Sequence, residues 1–116
     1  MEENKLYPDR QPKAYVDIDE TICFYPKIRK YNLAVPNQEN IAKINKLKDK
    51  GWHITYYTAR GAVSKIDYTE LTIKQLKEWG CSFDELIVGY KEDPTLRTKP
   101  SYDLIIDDKA KRIEEL

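Results

Sequence analysis

Ala14-Tyr15-Val16-Asp17-Ile18-Asp19-Glu20-Thr21 is the stretch on which the reading of this chain turns. Ala14 to Ile18 has the apolar, β-branched and aromatic character of a buried strand, and it runs without a break into acids. In open α/β sheets, ligands bind beyond the carboxyl ends of the strands, where the strand order switches. Asp17 and Asp19 would stand at such an end.

The elements on either side extend this pattern. Residues 1–12 hold two prolines and mixed charge and read as a polar arm, so a single domain is expected over residues 13–116, near the common domain size. Glu20 to Pro36 has no sustained periodicity and reads as a loop or short hairpin. Asn37 can cap a helix in which Ile41, Ile44 and Leu47 share a face and which Gly51 ends. Ile54-Thr55-Tyr56-Tyr57 is a second strand, closed by Thr58-Ala59-Arg60-Gly61. A second helix is expected over about Tyr68 to Trp79, with Asp67 or Thr69 as cap and Leu71, Ile73, Leu76 and Trp79 inward. Leu86-Ile87-Val88 is a third strand ending at Gly89. After the polar loop Tyr90 to Pro100, Leu104-Ile105-Ile106 is a fourth, ending in Asp107-Asp108. Lys109 to Leu116 reads as a short final helix.

Strands alternating with helices imply right-handed crossovers and a mostly parallel sheet covered on both faces. The expected class is α/β, a Rossmann-like three-layer α/β/α domain. Twenty basic and twenty acidic residues leave no net charge, which argues against a general electrostatic hold on nucleic acid. No apolar run approaches the roughly 20 residues of a membrane span, and the N-terminus is polar rather than signal-like. Cys23 and Cys81 lack metal-ligand spacing and point to a reduced, cytoplasmic protein.

In their order along the chain, Asp17-Ile18-Asp19-Glu20-Thr21, Thr58, Lys99 in Lys99-Pro100-Ser101-Tyr102-Asp103, and Asp107-Asp108 resemble the four motifs of the haloacid dehalogenase superfamily of phosphohydrolases. Arg60-Gly61 and Lys99-Pro100 are similar to a branch of small sugar-phosphate and capsule-associated phosphatases. The resemblance implies a core strand order of 3-2-1-4 and hydrolysis through an aspartyl-phosphate. It makes Asp17 the nucleophile and Asp19 the acid and base. Thr58, Ala59, Arg60 and Lys99 would bind the phosphoryl group. Mg²⁺, or Mn²⁺ in its place, would be held by Asp17, the Asp19 carbonyl and Asp107, with Asp108 a ligand, a partner of a ligand or the cap of the final helix. Lys91 and Arg97 share the loop of Lys99 and are its alternatives.

The chemistry accounts for these residue types. A phosphate monoester repels an anionic nucleophile, and its uncatalysed hydrolysis is among the slowest reactions known. A hard cation offsets that repulsion, and covalent catalysis divides one displacement into two easier ones. Neither usual insertion point leaves room for a cap domain, so a capless homo-oligomer acting on a small phosphorylated metabolite is expected. The rivals are a polynucleotide 3′-phosphatase, with Lys27, Arg29 and Lys30 toward the nucleic acid, a non-catalytic scaffold, and a phospho-accepting receiver domain. The receiver places its acceptor acid at the end of the third strand, where this chain has Val88-Gly89.

Overall fold

The computed structural model describes residues 10–89 and 103–107. Within them the elements are β1 (Lys13–Asp17), β2 (Cys23–Phe24), β3 (Val35–Pro36), α1 (Gln38–Asp49), β4 (His53–Thr58), α2 (Thr69–Glu78), β5 (Glu85–Val88) and β6 (Leu104–Ile106). Four strands form a parallel sheet in the order β5-β4-β1-β6. The chain thus steps twice to one side of β1 before returning to the other, which makes the end of β1 the switch point. Asp17 sits there.

Strand alternation assigns the two faces. Ala14, Val16, Ile54, Tyr56 and Ile106 point to one side and are buried with Ile41 and Ile44 of α1 and Leu76 of α2, with Trp79 just beyond it. Both helices therefore cover the same face. Tyr15, Tyr57, Ile87 and Ile105 share the opposite pleat and are half-buried, and the Tyr15 and Tyr57 rings stack at 4.7 Å. The final helix expected after Asp108, and the loop Tyr90 to Pro100, lie outside the described residues.

α1 forms as its sequence predicts. The Asn37 side chain accepts from the Asn40 amide at 3.0 Å, satisfying one of the unpaired donors of the first turn. Past its last turn, Gly51 takes a φ of 99°, which an L-residue with a side chain rarely adopts. α2 departs from expectation. Its buried stripe is Thr72, Gln75 and Leu76, while Leu71 and Ile73 are only half-buried. Asp67, one of the two expected caps, accepts from the Thr69 amide at 2.9 Å, and it does so from the position before Tyr68, where the helix is capped. Thr72 and Gln75 turn inward because they hold a buried cation, described below.

The arm expected over residues 1–12 joins the fold at its described end. Pro12 is buried and its carbonyl accepts from the His53 amide at 2.8 Å, while the Arg10 guanidinium pairs with Asp103. Glu20 to Pro36 is a hairpin: β2 and β3 pair antiparallel, Cys23 against Pro36 and Phe24 against Val35, around a short 3₁₀ turn at Tyr31–Leu33. This flap stands over the carboxyl end of the sheet. Among the described residues, no helix is long and apolar enough to cross a membrane.

Candidate active site

Parallel register brings the first cluster together. Asp17 pairs with Tyr57 on β4, and Val16 pairs with Ile106 on β6, so Asp17 and Asp107 end neighbouring strands at the same level. The Tyr57 hydroxyl donates to Asp107 Oδ2 at 3.2 Å. Burial, and then the charges of Asp17 and Asp107, push the Tyr57 phenol well above its ordinary pKa. Both carboxylates therefore act on one hydroxyl. The Asp17 side chain also accepts from the Ile18 amide at 2.8 Å, which orients the carboxylate at the strand end.

Asp19 occupies a second, deeper cluster. It is 6% exposed, and Arg60 beside it is 1% exposed. Arg60 Nη2 donates to Asp19 Oδ1 at 2.9 Å, and Nε lies 3.2 Å from Oδ2. The Thr58 hydroxyl donates to Asp19 Oδ2 at 2.9 Å, and the Tyr25 hydroxyl to Oδ1 at 2.5 Å. Burial alone would disfavour both charges. Pairing outweighs it for each, so Asp19 is held below the ordinary carboxylate range and Arg60 above its own usual value. Burial and the Asp19 carboxylate together push the Tyr25 phenol far up, so it stays a donor.

Arg60 was expected to bind phosphate. The structure gives its guanidinium a different place. Beyond the two contacts to Asp19, Nη1 donates to Thr72 Oγ1 at 3.2 Å and to Gln75 Oε1 at 2.6 Å, and Nη2 to the Tyr25 hydroxyl at 3.2 Å. A guanidinium has five N–H donors, and these contacts engage them all. Its plane also lies over the Tyr31 ring, 4.9 Å from the centroid. Arg60 thus joins the acid loop, the flap and α2. Gln75 adds a second tie, donating to the Tyr31 carbonyl at 2.6 Å.

The loop after β4 owes its path to glycine. Ala59, expected to present its amide to phosphate, passes so close to Gly89 that a Cβ there would lie 2.9 Å from the Ala59 Cα. The third strand of the parallel sheet, β5, has no acid at its carboxyl end, yet Gly89 there makes space for this loop. Thr58 Oγ1 also accepts from the Arg60 amide at 3.2 Å, which fixes the first turn.

Of the expected site residues, Asp17 and Asp107 meet at one level, and Asp19, Thr58 and Arg60 meet at another. Lys99 and Asp108 lie outside the described residues, as do Lys91 and Arg97. Tyr57, Tyr25, Thr72, Gln75 and Gly89 were not singled out as site residues from sequence. For Thr72 and Gln75 the available signal was two polar residues at helical spacing on a face that also carries Leu76 and Trp79. Cys23, also close to the site, is a buried thiol 3.6 Å from Asp19 Oδ1, and burial with the Asp19 charge pushes it up to about 12.

The donor set suits a hard divalent cation. Two carboxylates end adjacent strands, and the Asp19 carbonyl lies two residues beyond the first. Mg²⁺ is commonly held by one or two carboxylates and retains several waters. The Asp19 carboxylate is directed to Arg60, which leaves its carbonyl as that residue's donor. Among the described residues, no three His, Cys, Asp or Glu side chains group closely enough to enclose a metal by themselves.

Comparison with known proteins places the fold. No family model and no curated protein matches the chain. The crystal structure of a target protein from Vibrio cholerae superposes with a TM-score of 0.66 over 90% of this chain and 86% of that one, at 23% identity. At that identity the likeness is one of fold, and it agrees with an α/β domain built on a parallel four-stranded sheet.

Proposed function

We propose that this chain is a magnesium-dependent phosphomonoester hydrolase of the haloacid dehalogenase type, without a cap domain, acting on a small phosphorylated metabolite. The observation that carries the reading is the convergence of Asp17 and Asp107 at one level of the switch point, with Thr58 hydrogen-bonded to Asp19 beside them. The strand order, with the acid-bearing strand flanked by the Thr58 strand and the Asp107 strand, supports it too.

In this mechanism an Asp17 carboxylate oxygen attacks phosphorus, and the bond from phosphorus to the leaving oxygen breaks. Asp19 gives that oxygen a proton. Water then attacks the aspartyl-phosphate, Asp19 takes the water's proton, and phosphate leaves with Asp17 restored. Asp19 is ionised in the arrangement seen here, which suits the second half. For the first half it needs a proton, and a phosphate dianion bound beside it raises its affinity for one. The Ala59 amide orients a phosphoryl oxygen, the Thr58 hydroxyl turns its one proton from Asp19 to another when Asp19 is protonated, and Lys99 supplies positive charge. Mg²⁺, held by Asp17, the Asp19 carbonyl and Asp107, would supply charge neutralisation.

Arg60 acts in this scheme through Asp19 rather than on phosphate. The exposed side chains Phe24, Ile28, Leu33 and Val35 on the flap suit a second copy of the chain covering a site that has no cap. The reading also keeps the protein in a reducing, cytoplasmic setting. The test is turnover of a panel of sugar phosphates with Mg²⁺ by the wild-type chain and Asp17→Asn. Turnover that is lost in the folded variant and restored by no other acid supports the reading; equal turnover in both sinks it.

A further inference from the structure

The flap and α2 enclose a cavity of about 480 Å³ that the mechanism above does not use. Among the described residues its lining is Arg29, Lys30, Tyr31, Asn32, Ser64, Tyr68 and Leu71, with no acid. That volume falls in the range of about 300–1,000 Å³ typical of small-ligand sites. We propose that this cavity receives the non-reacting end of the substrate, and that this end carries a second anionic group, a phosphate or a carboxylate. The proposal rests on the phosphatase reading and names the substrate class for it.

Charge is the first argument. The chain is neutral overall, yet between Glu20 and Glu39 it has no acid and three cations, Lys27, Arg29 and Lys30. Two of the three line the cavity. Cations gathered in a concave site on an otherwise neutral protein create a local field that favours an anion. Arg29 is also steadied, with its guanidinium 5.5 Å from the centre of the Tyr25 ring.

The second argument is that the base of the cavity is built. Tyr31 and Tyr68 meet edge to face at 4.8 Å, the Tyr31 carbonyl is held by Gln75, and the Tyr31 ring lies under Arg60. A wall fixed in advance costs a ligand little ordering entropy. Asn32 and Ser64 add neutral polar groups of the kind that bond hydroxyls, and the ring faces suit the C–H faces of a sugar chain. Tyr31 also links this cavity to Asp19 through Arg60. A ligand held there braces the flap against α2 and steadies the Tyr31 ring on which the Asp19 partner Arg60 rests.

The test uses the full chain with Mg²⁺ and compares glucose 6-phosphate with fructose 1,6-bisphosphate and 6-phosphogluconate. The expected result is a kcat/KM at least about tenfold higher for one doubly anionic compound, since a charge-assisted contact contributes about that much or more. The bisphosphate winning identifies a phosphate subsite, and the gluconate winning a carboxylate subsite. In the Arg29→Ala/Lys30→Ala variant the advantage over glucose 6-phosphate shrinks to near one. An advantage that is absent, or that survives in the variant, overturns the proposal. So does a stronger, steeply salt-dependent preference for a 3′-phosphorylated oligonucleotide. If no compound is turned over, the phosphatase reading fails separately, and calorimetry with the same two doubly anionic compounds decides the cavity. Binding weakened about tenfold in the double variant supports it; no binding to the wild-type chain overturns it.

Discussion

Arg60 and Asp19 form an ion pair in the interior, 2.9 Å from Nη2 to Oδ1, with the arginine side chain fully enclosed. The pair spans 41 residues of sequence and joins the turn after β4 to the acid loop after β1. Taking two charges out of water costs several kcal/mol each, and only good geometry with further hydrogen bonds recovers it. Here Thr58, Tyr25, Thr72 and Gln75 supply those bonds.

The first prediction concerns that pair. Arg60→Met removes the cation but leaves Asp19, Thr72 and Gln75 buried without their partner, and a loss of about 3–5 kcal/mol in folding stability is expected. Arg60→Lys loses much of the same stability, because three donors on one nitrogen cannot replace a five-donor fork. Urea denaturation of the three proteins measures both. A Met variant as stable as the wild type would show that the pair is not a structural centre.

Acidity is the second. Asp19 has a folded pKa below its ordinary 3.8, so its pairing stabilises the fold fully above that value. That contribution is lost as pH falls through the folded value. Tyr25→Phe removes one donor to the charged form, which shifts the Asp19 pKa upward, and acid sensitivity then begins at higher pH. NMR titration of the Asp19 carboxyl carbon in both proteins reads the shift directly; a downward shift contradicts the assignment of Tyr25 as donor.

Much of this architecture was legible in the residues, for local reasons. β1, β4 and α1 have strong periodicity or β-branched runs, and Asn37 and Gly51 punctuate α1 by backbone chemistry that acts within a few positions. The inward side of α2 was not legible. Thr72 and Gln75 answer to Arg60, 12 and 15 residues earlier, and hydrophobic periodicity carries no information about a buried cation. The same holds for Arg60 itself. Its place after Thr58 pointed to the site, but only the surrounding acceptors show that its donors are already engaged.

A third prediction comes from Glu20, which follows the paired acids with a φ of 64°. Its amide donates to the Cys23 carbonyl at 2.9 Å, so the turn is held in place although the left-handed region costs an L-residue about 1–2 kcal/mol. Glu20 is exposed and its side chain points to no described partner. Glu20→Gly is expected to stabilise the protein by up to about 1 kcal/mol, after the greater entropy of an unfolded glycine is deducted. Thermal denaturation measures it, and a destabilised variant would show that the Glu20 side chain contributes more than the strain it imposes.

Gly89 gives the last prediction. A methyl group there would meet the Ala59 backbone at 2.9 to 3.0 Å, against Cα, carbonyl carbon and oxygen at once. Backbone atoms cannot rotate away as a side chain does, so either β5 or the Thr58–Gly61 turn must move. β5 is paired to β4 through four residues, Glu85 to Val88, which resist displacement. The turn is the part that yields, and it carries Thr58 and Arg60. Gly89→Ala is therefore expected to cost about 1–3 kcal/mol in stability, as overpacking does. It should also lower kcat by more than the unfolded fraction explains, because a shift of the Ala59 amide misplaces a group meant for the phosphoryl oxygens. Denaturation curves and steady-state kinetics on the same preparation separate the two effects. Full kcat in a destabilised but folded variant would show that the turn is not part of the catalytic geometry.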